Sequence, residues 1–148
     1  MDSDDIRRDL SHVNEFIDVF PADRLPRHPI RKPTLLVANT DRSDKPGQHW
    51  VAMYIDGEGY GELFDSLASR SRKTFVDFMN RNCTRWITND MQLQSAVSRF
   101  CGHYCVMYGI LRSRGFDIER ITSYFTQDTG LNDFIAHAFV CRGKINVV

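Results

Sequence analysis

A nearly continuous apolar run from Cys101 to Leu111 constrains the fold of this chain more than any other segment. Its apolar members include Tyr104, Cys105, Val106, Met107, Tyr108, Ile110 and Leu111. A helix with apolar side chains on almost every face is buried on most sides. We therefore expect a central helix that begins at Cys101 and around which the rest of the chain packs.

Short apolar segments bounded by turn residues predict a small β-sheet beside this helix. Residues 34–39, 50–55, 60–64 and 84–87 have this pattern. The turn sequence Asp56-Gly57-Glu58-Gly59 lies between the second and third of them and predicts a hairpin. His49 precedes one strand of that hairpin and Asp65 follows the other. Antiparallel pairing is expected to bring these two residues side by side.

Helical periodicity predicts the remaining elements. Apolar residues recur at helical spacing over residues 4–20 and stop at Pro21, which predicts an amphipathic surface helix. A helix capped by Ser69 or Ser71 is expected to reach about residue 81, and two short helices are expected over residues 118–125 and 131–140. Prolines between residues 21 and 33 predict an irregular connector. We therefore expect one α+β domain spanning residues 1–148.

Composition and charge exclude several classes of protein. The 148 residues are 42% hydrophobic and 26% charged, which is ordinary globular usage and not that of a disordered tail. Nineteen basic and nineteen acidic residues balance, so net charge gives no general attraction to nucleic acid or to an anionic membrane. The acidic N-terminus and the lack of an apolar run of about 20 residues predict an intracellular protein that is not secreted and has no membrane partner.

Four cysteines, Cys83, Cys101, Cys105 and Cys141, are too few for a disulfide scaffold in a chain of this size, and we expect free thiols. Cys101 is the candidate nucleophile. A thiol at a helix N-terminus ionises more readily, and Gly102 beside it allows a substrate to approach the backbone. The alternative is a cysteine that only fills the core.

His49 is the candidate general base and Asp65 the acid that would orient it. His12, His28, His103 and His137 are alternative bases. His103 is two residues from Cys101 and so points to a different side of the helix, whereas His137 stays open. Asp65 could equally be an ordinary turn residue.

Gln94, seven residues before Cys101, is the candidate donor to an oxyanion, together with the backbone N–H of Cys101. Gln92 is its nearby alternative. Cys101, His103 and Cys105 lie within about one helical turn without a fourth ligand at a usual spacing, so we expect no metal site.

These residues resemble the adenovirus protease (adenain) family and the related SUMO- and ubiquitin-like-specific peptidases. The chain carries Gly47-Gln48-His49-Trp50, then Asp65 sixteen residues after His49, then Gln94 and Cys101-Gly102. Both families have the order His, acid, Gln, Cys. The resemblance covers roughly residues 10–115 and implies a papain-like fold in which the helix bearing the cysteine packs on a small mixed sheet.

The resemblance also implies partners and activators. Adenoviral enzymes bind an activating peptide through a disulfide at a cysteine with the spacing of Cys83, so Cys83 is a candidate attachment point. DNA activates those enzymes too, and the basic residues available for it are Arg70, Arg72, Lys73, Arg81 and Arg85. No cofactor is required for the chemistry itself. By the same resemblance we expect a monomer found in the virion and the host nucleus, encoded by a virus or a virus-like mobile element.

The function implied is that of a cysteine endopeptidase which processes viral or mobile-element precursor proteins through a thioester. One alternative is a deconjugating isopeptidase of ubiquitin- or SUMO-like modifiers. A second is an acyltransferase that uses the same residues. A third, from a different class, is a noncatalytic module that binds DNA or capsid protein on the same fold.

Overall fold

The computed structural model describes residues 1–41 and 49–145. Five strands form one sheet in the order β1-β2-β3-β4-β5. The strands are β1 (Phe16–Phe20), β2 (Thr34–Asn39), β3 (Trp50–Ile55), β4 (Tyr60–Phe64) and β5 (Arg85–Thr88). The helices are α1 (Ser3–Leu10), α2 (Lys73–Asn82), α3 (Cys101–Ser113), α4 (Ile118–Thr122) and α5 (Thr129–Ile145). None of the helices in this part of the chain is long and apolar enough to cross a membrane.

The sheet is mixed, and its central hairpin is as predicted. β3 pairs antiparallel with β2 and with β4, whereas the outer strands β1 and β5 pair in parallel with their neighbours. Ala52 is opposite Phe64 in the hairpin. The residues just beyond this end of the ladder, His49 and Asp65, therefore lie at the same edge of the sheet.

Both faces of the sheet are covered. Leu35 and Val37 of β2 face a core formed with α1, α3 and α5, whereas Leu36 and Ala38 face a second core formed with α2. All six residues of β2 are buried. A strand with both faces covered has an uninterrupted apolar sequence, which explains why residues 34–39 were recognisable without alternation.

The predicted central helix is α3, and it packs against β3 and β4. The ring of Tyr108 stacks on Phe64 with centroids 4.7 Å apart. The buried carboxylate of Glu62 on β4 accepts hydrogen bonds from the Tyr108 hydroxyl at 2.6 Å and from Arg112 Nε at 3.1 Å. These contacts hold α3 along the sheet, so its first residue, Cys101, has a defined position beside the start of β3.

The prediction of one helix over residues 4–20 is wrong. α1 ends at Leu10, and Phe16–Phe20 is the edge strand β1. A capping box between Asp2 and Asp5 begins the helix, whose buried residues are Ile6 and Leu10. The sequence of β1 is rich in β-branched and aromatic residues, and its backbone pairs with β2, so tertiary pairing prevails over the local helical periodicity.

The other boundaries differ less from the predictions. α2 begins at Lys73, and neither Ser69 nor Ser71 caps it. α4 is shorter than predicted and α5 is longer, beginning at Thr129. The connector over residues 21–33 contains only a 3-10 turn at Ala22–Arg24, and the expected strand at 84–87 is the edge strand β5.

Candidate active site

His49 and Asp65 are joined by a hydrogen bond at the end of the hairpin. His49 Nε2 lies 2.6 Å from Asp65 Oδ1, and the two residues are only 9% and 8% exposed. A carboxylate at this nitrogen holds the Nε2 proton and fixes the orientation of the ring. The other ring nitrogen, Nδ1, is then free to act on a neighbouring group.

That neighbouring group is the thiol of Cys101. Cys101 is the first residue of α3 and is 8% exposed. The side chain of His49 and the backbone N–H groups of Trp50 and Gly102 adjoin its sulfur and lower the pKa of the thiol. Since Asp65 engages Nε2, the imidazole has Nδ1 left for the sulfur. The start of β3 and the start of α3 thus build one cluster from distant parts of the chain.

The electrostatics of this cluster favour charged forms of all three side chains. Burial lowers the pKa of His49, but hydrogen bonds and negative charge from Asp65 and Cys101 outweigh it and raise the pKa to about 9. Burial raises the pKa of Cys101, yet the bond to His49 and the N–H groups of Trp50 and Gly102 bring it below its ordinary value. Burial also raises the pKa of Asp65, and the bond to His49 outweighs this and lowers it. The same interactions therefore favour a thiolate next to an imidazolium.

Asn89 fixes the backbone of Asp65, and it was not among the predicted site residues. Its Oδ1 accepts from the Asp65 N–H at 2.9 Å, and its Nδ2 donates to the Asp65 carbonyl at 2.7 Å. Asp65 directly follows β4, and Asn89 directly follows β5. Parallel neighbouring strands end at the same edge of a sheet. The position of each polar residue directly after its strand would have predicted this pair, but only if β4 and β5 were known to be parallel neighbours.

Asn89→Ala is expected to lower the free energy of unfolding by about 1 to 3 kcal/mol, because it leaves the buried N–H of Asp65 without its acceptor. The Asp65 carbonyl loses one of its two hydrogen bonds and keeps the one from the Ala68 N–H. It is also expected to slow alkylation of Cys101, since the backbone that places the Asp65 carboxylate beside His49 would be less firmly held, although the N–H groups of Leu67 and Ser69 still bind that carboxylate. Denaturant titration and cysteine-resolved mass spectrometry measure the two effects. Asn80→Ala, at an exposed position on α2 that binds only the Trp86 indole N–H, is the control. Normal alkylation in Asn89→Ala would restrict Asn89 to a structural role.

Gln94 is buried near this cluster, and a second unforeseen residue, Ser66, holds it. The Ser66 hydroxyl donates to Gln94 Oε1, and Gln94 is 1% exposed. Gln94 Nε2 donates to the carbonyl of Ser98 at 3.2 Å. Ser66 therefore orients the amide so that its N–H groups point to the loop that leads into Cys101. Gln92 is exposed instead, and its amide bonds to the carbonyl of Gln94.

Comparison with solved structures identifies the fold. The crystal structure of the pS273R protease of ASFV matches 91% of this chain with a TM-score of 0.65 and 17% sequence identity. The selenomethionine form of that protease matches 70% with a TM-score of 0.53 and 23% identity. This chain has an adenain-like cysteine peptidase fold. The α+β class and the helix that bears the cysteine on a mixed sheet are confirmed.

This peptidase fold is shared over only part of the neighbours' length. The chain spans 64% and 43% of the two pS273R protease structures. The SUMO protease Ulp1 with its catalytic cysteine oxidised to a sulfinic acid matches 74% of this chain, which covers 53% of the Ulp1 chain, with 19% identity and a TM-score of 0.36. No protein-family profile matches the sequence, and no curated protein is similar to it.

The other histidines have different surroundings within the peptidase fold. His137 on α5 lies 3.6 Å from the Cys141 sulfur, and its ring packs against Phe100 and His103. His12 and His28 are exposed. In the motif Gly47-Gln48-His49-Trp50, the first two residues lie outside the described residues. Among the residues that are described, no group of three or more His, Cys, Asp or Glu side chains is arranged to hold a metal.

Gly102 has a neighbour that was not foreseen. A Cβ atom on this residue would lie 3.0 Å from the sulfur of Met1. The side of the first turn of α3 that was expected to admit a substrate is therefore filled by Met1.

Cys83 packs against the core on the α2 face of the sheet, and the basic residues lie just before α2, on it and on β5. Cys83 is half-buried, its thiol is free, and burial raises its pKa. The five basic residues are exposed. Among them, Lys73 pairs with Asp77 at 2.7 Å and Arg85 lies over the ring of Tyr60. The peptide disulfide at Cys83 and the DNA contact both stay predictions.

Proposed function

We propose that this chain is a cysteine peptidase in which Cys101 is the nucleophile, His49 the general acid and base, and Asp65 the group that orients His49. The observation that supports the proposal most strongly is the buried series in which Cys101 adjoins His49 and His49 is hydrogen-bonded to Asp65. A thiol that only fills a core has no use for an imidazole held in place by a carboxylate. Acyl transfer requires both.

The chemistry proceeds in two halves. The Cys101 thiolate attacks the carbonyl carbon of the scissile bond, a C–S bond forms, and the carbonyl oxygen takes the negative charge. The His49 imidazolium gives its proton to the leaving amine as the C–N bond breaks, which leaves a thioester and a neutral imidazole. Neutral His49 then takes a proton from water while the water oxygen attacks the thioester. Expulsion of the thiolate releases the acid and restores the ion pair.

Two donors are proposed for the oxyanion, the backbone N–H of Cys101 and the Gln94 amide. The N–H groups of the first turn of a helix have no partner within the helix, and the helix dipole places partial positive charge there. Cys101 begins α3, so its N–H is such a donor. The Gln94 amide nitrogen carries two N–H groups, and its bond to the Ser98 carbonyl uses one of them.

Gln94→Ala is expected to reduce kcat by roughly 10² to 10³, the usual effect of removing one oxyanion donor. Fast alkylation of Cys101 should persist, because the thiolate and imidazolium do not depend on the amide. Steady-state hydrolysis of an internally quenched peptide and alkylation kinetics measure the two effects. Gln92→Ala is the matched control, since it removes an exposed amide two residues away. Equal rates for the two variants would contradict the assignment of Gln94.

The substrate proposed is a peptide bond in a precursor protein of a virus or mobile element. Incubation with a quenched peptide library and, in parallel, with a lysine-linked conjugate of a ubiquitin-like modifier separates peptidase from deconjugase. A Cys101-linked acyl-enzyme detected by mass spectrometry supports either reaction. Transfer of the acyl group to lysine would instead indicate an acyltransferase. Binding of DNA or capsid protein unchanged by Cys101→Ala, with no turnover, would indicate the noncatalytic module.

A further inference from the structure

We propose that the groove between α1 and α5 is a docking surface for an amphipathic helix of a partner protein that carries acidic side chains beside its apolar face. The groove has a volume of about 930 Å³. α3 forms its floor, and α1 and α5 form its walls. The proposal is independent of the proposed peptidase activity, because it uses none of the residues of that site.

The inner surface of the groove is apolar and partly uncovered. Val106 and Ile110 of α3 form the floor, and Ile135 and Phe139 of α5 form one side. Phe134, also in the lining, is 68% exposed. A large aromatic side chain in water, continuous with an apolar groove and surrounded by polar residues, is typical of a surface that binds another protein.

The rim of the groove is positively charged. Its arginines are Arg8, Arg114 and Arg142. The positive charge of Arg8 is already paired, since its guanidinium nitrogens lie 2.9 Å from a carboxylate oxygen of Asp5 and 3.6 Å from one of Asp9. Asp9 is the one acidic residue in the lining. Across residues 1–41 and 49–145, neither Arg114 nor Arg142 forms an ion pair. The rim therefore favours a partner with acidic groups on both sides of an apolar strip.

The open shape of the groove favours a helix over a lipid chain. Gly143 in the lining faces open space, and Phe134 is mostly in water. A small apolar ligand needs a site that covers most of its surface, about 70 to 90% of it. A helix keeps its own polar face in water and buries only an apolar strip, as in other complexes where a helix lies in a groove.

The groove is separate from the candidate active site. Val106 and Ile110 lie five and nine residues along α3 from Cys101, which is about 7.5 Å and about 14 Å at roughly 1.5 Å per residue. The lining of the groove contains none of the candidate site residues, so the surface fits recruitment of a protein substrate or anchoring of the protein to a partner.

The test uses two labelled peptides of about 18 residues, or five turns of helix. Both carry leucines on one face, and the flanks are Glu in one and Lys in the other. Fluorescence anisotropy is expected to show that the Glu peptide binds and the Lys peptide does not. Phe134→Asp and Arg142→Glu should each weaken binding by about tenfold or more, and added salt should weaken it further. Hydrogen exchange should show protection of α1 and α5.

The matched controls are Ile87→Asp, at a partly exposed apolar residue of β5, and Arg31→Glu, at an exposed residue of the connector. Both should bind the Glu peptide as the unaltered protein does. Equal binding of the two peptides, or full binding by Phe134→Asp, would overturn the proposal. So would capture by anionic phospholipid vesicles without peptide binding, which indicates a membrane, or a dimer in sedimentation that Phe134→Asp dissociates, which indicates a second copy of this chain.

Discussion

Cys101→Ala is expected to abolish peptide hydrolysis, with a loss of roughly 10⁴-fold or more, and to leave the protein folded. The nucleophile is removed, and no other thiol replaces it. Cys105, one turn along α3, is fully buried, and burial raises its pKa well above the ordinary value. Only the sulfur atom is lost, so the cost in unfolding free energy should be about 1 kcal/mol.

The measurements are hydrolysis of a quenched peptide and thermal unfolding. Cys141→Ala is the matched control, because Cys141 is also a free thiol beside an imidazole, that of His137. It should retain full activity. Turnover by Cys101→Ala, or its loss in Cys141→Ala, would move the reaction to the other thiol.

His49→Ala is expected to abolish hydrolysis and also to slow the alkylation of Cys101 at neutral pH. The largest influence on the Cys101 pKa is burial, which raises it and remains in the variant, whereas the lowering effect of His49 is lost. Cys101 should then react only at a pH near or above that of a free thiol, about 8.5. Site-resolved reaction with iodoacetamide from about pH 5 to about pH 9 measures this change.

In the unaltered protein, both the alkylation of Cys101 and the hydrolysis of peptide should depend on pH differently from the His49→Ala variant. The pKa of Cys101 is lowered from its ordinary value, so alkylation should persist to lower pH than in the variant. Hydrolysis should decline as the pH rises through about 9, because the His49 imidazolium that protonates the leaving amine is lost there. His137→Ala is the control and should leave both profiles unchanged. If it slows Cys101 instead, His137 is the base and the assignment of His49 fails.

Local patterns were sufficient for the centre of the fold. α3 was recognisable because its residues are apolar on nearly every face, and β2 because both of its faces are buried. The hairpin turn at residues 56–59 set the pairing of β3 with β4, and with it the approach of His49 to Asp65. Periodicity and turn chemistry are properties of neighbouring residues, so they can be read from the chain.

Contacts between distant segments were not readable in this way. Phe16–Phe20 resembles a continuation of α1 until its pairing with β2 makes it a strand. No local pattern predicts the roles of Asn89 and Ser66. That of Asn89 depends on the parallel pairing of β5 with β4, and that of Ser66 on the fold of the loop before α3.

The order and type of the candidate site residues were thus determined by the sequence alone, together with the helix and the hairpin that carry them. The tertiary structure decided which of the histidines meets Cys101, which side chains hold Asp65 and Gln94, and which apolar surface stays open between α1 and α5. The physical reason is that hydrogen bonds and burial between segments tens of residues apart depend on packing, which no local pattern encodes.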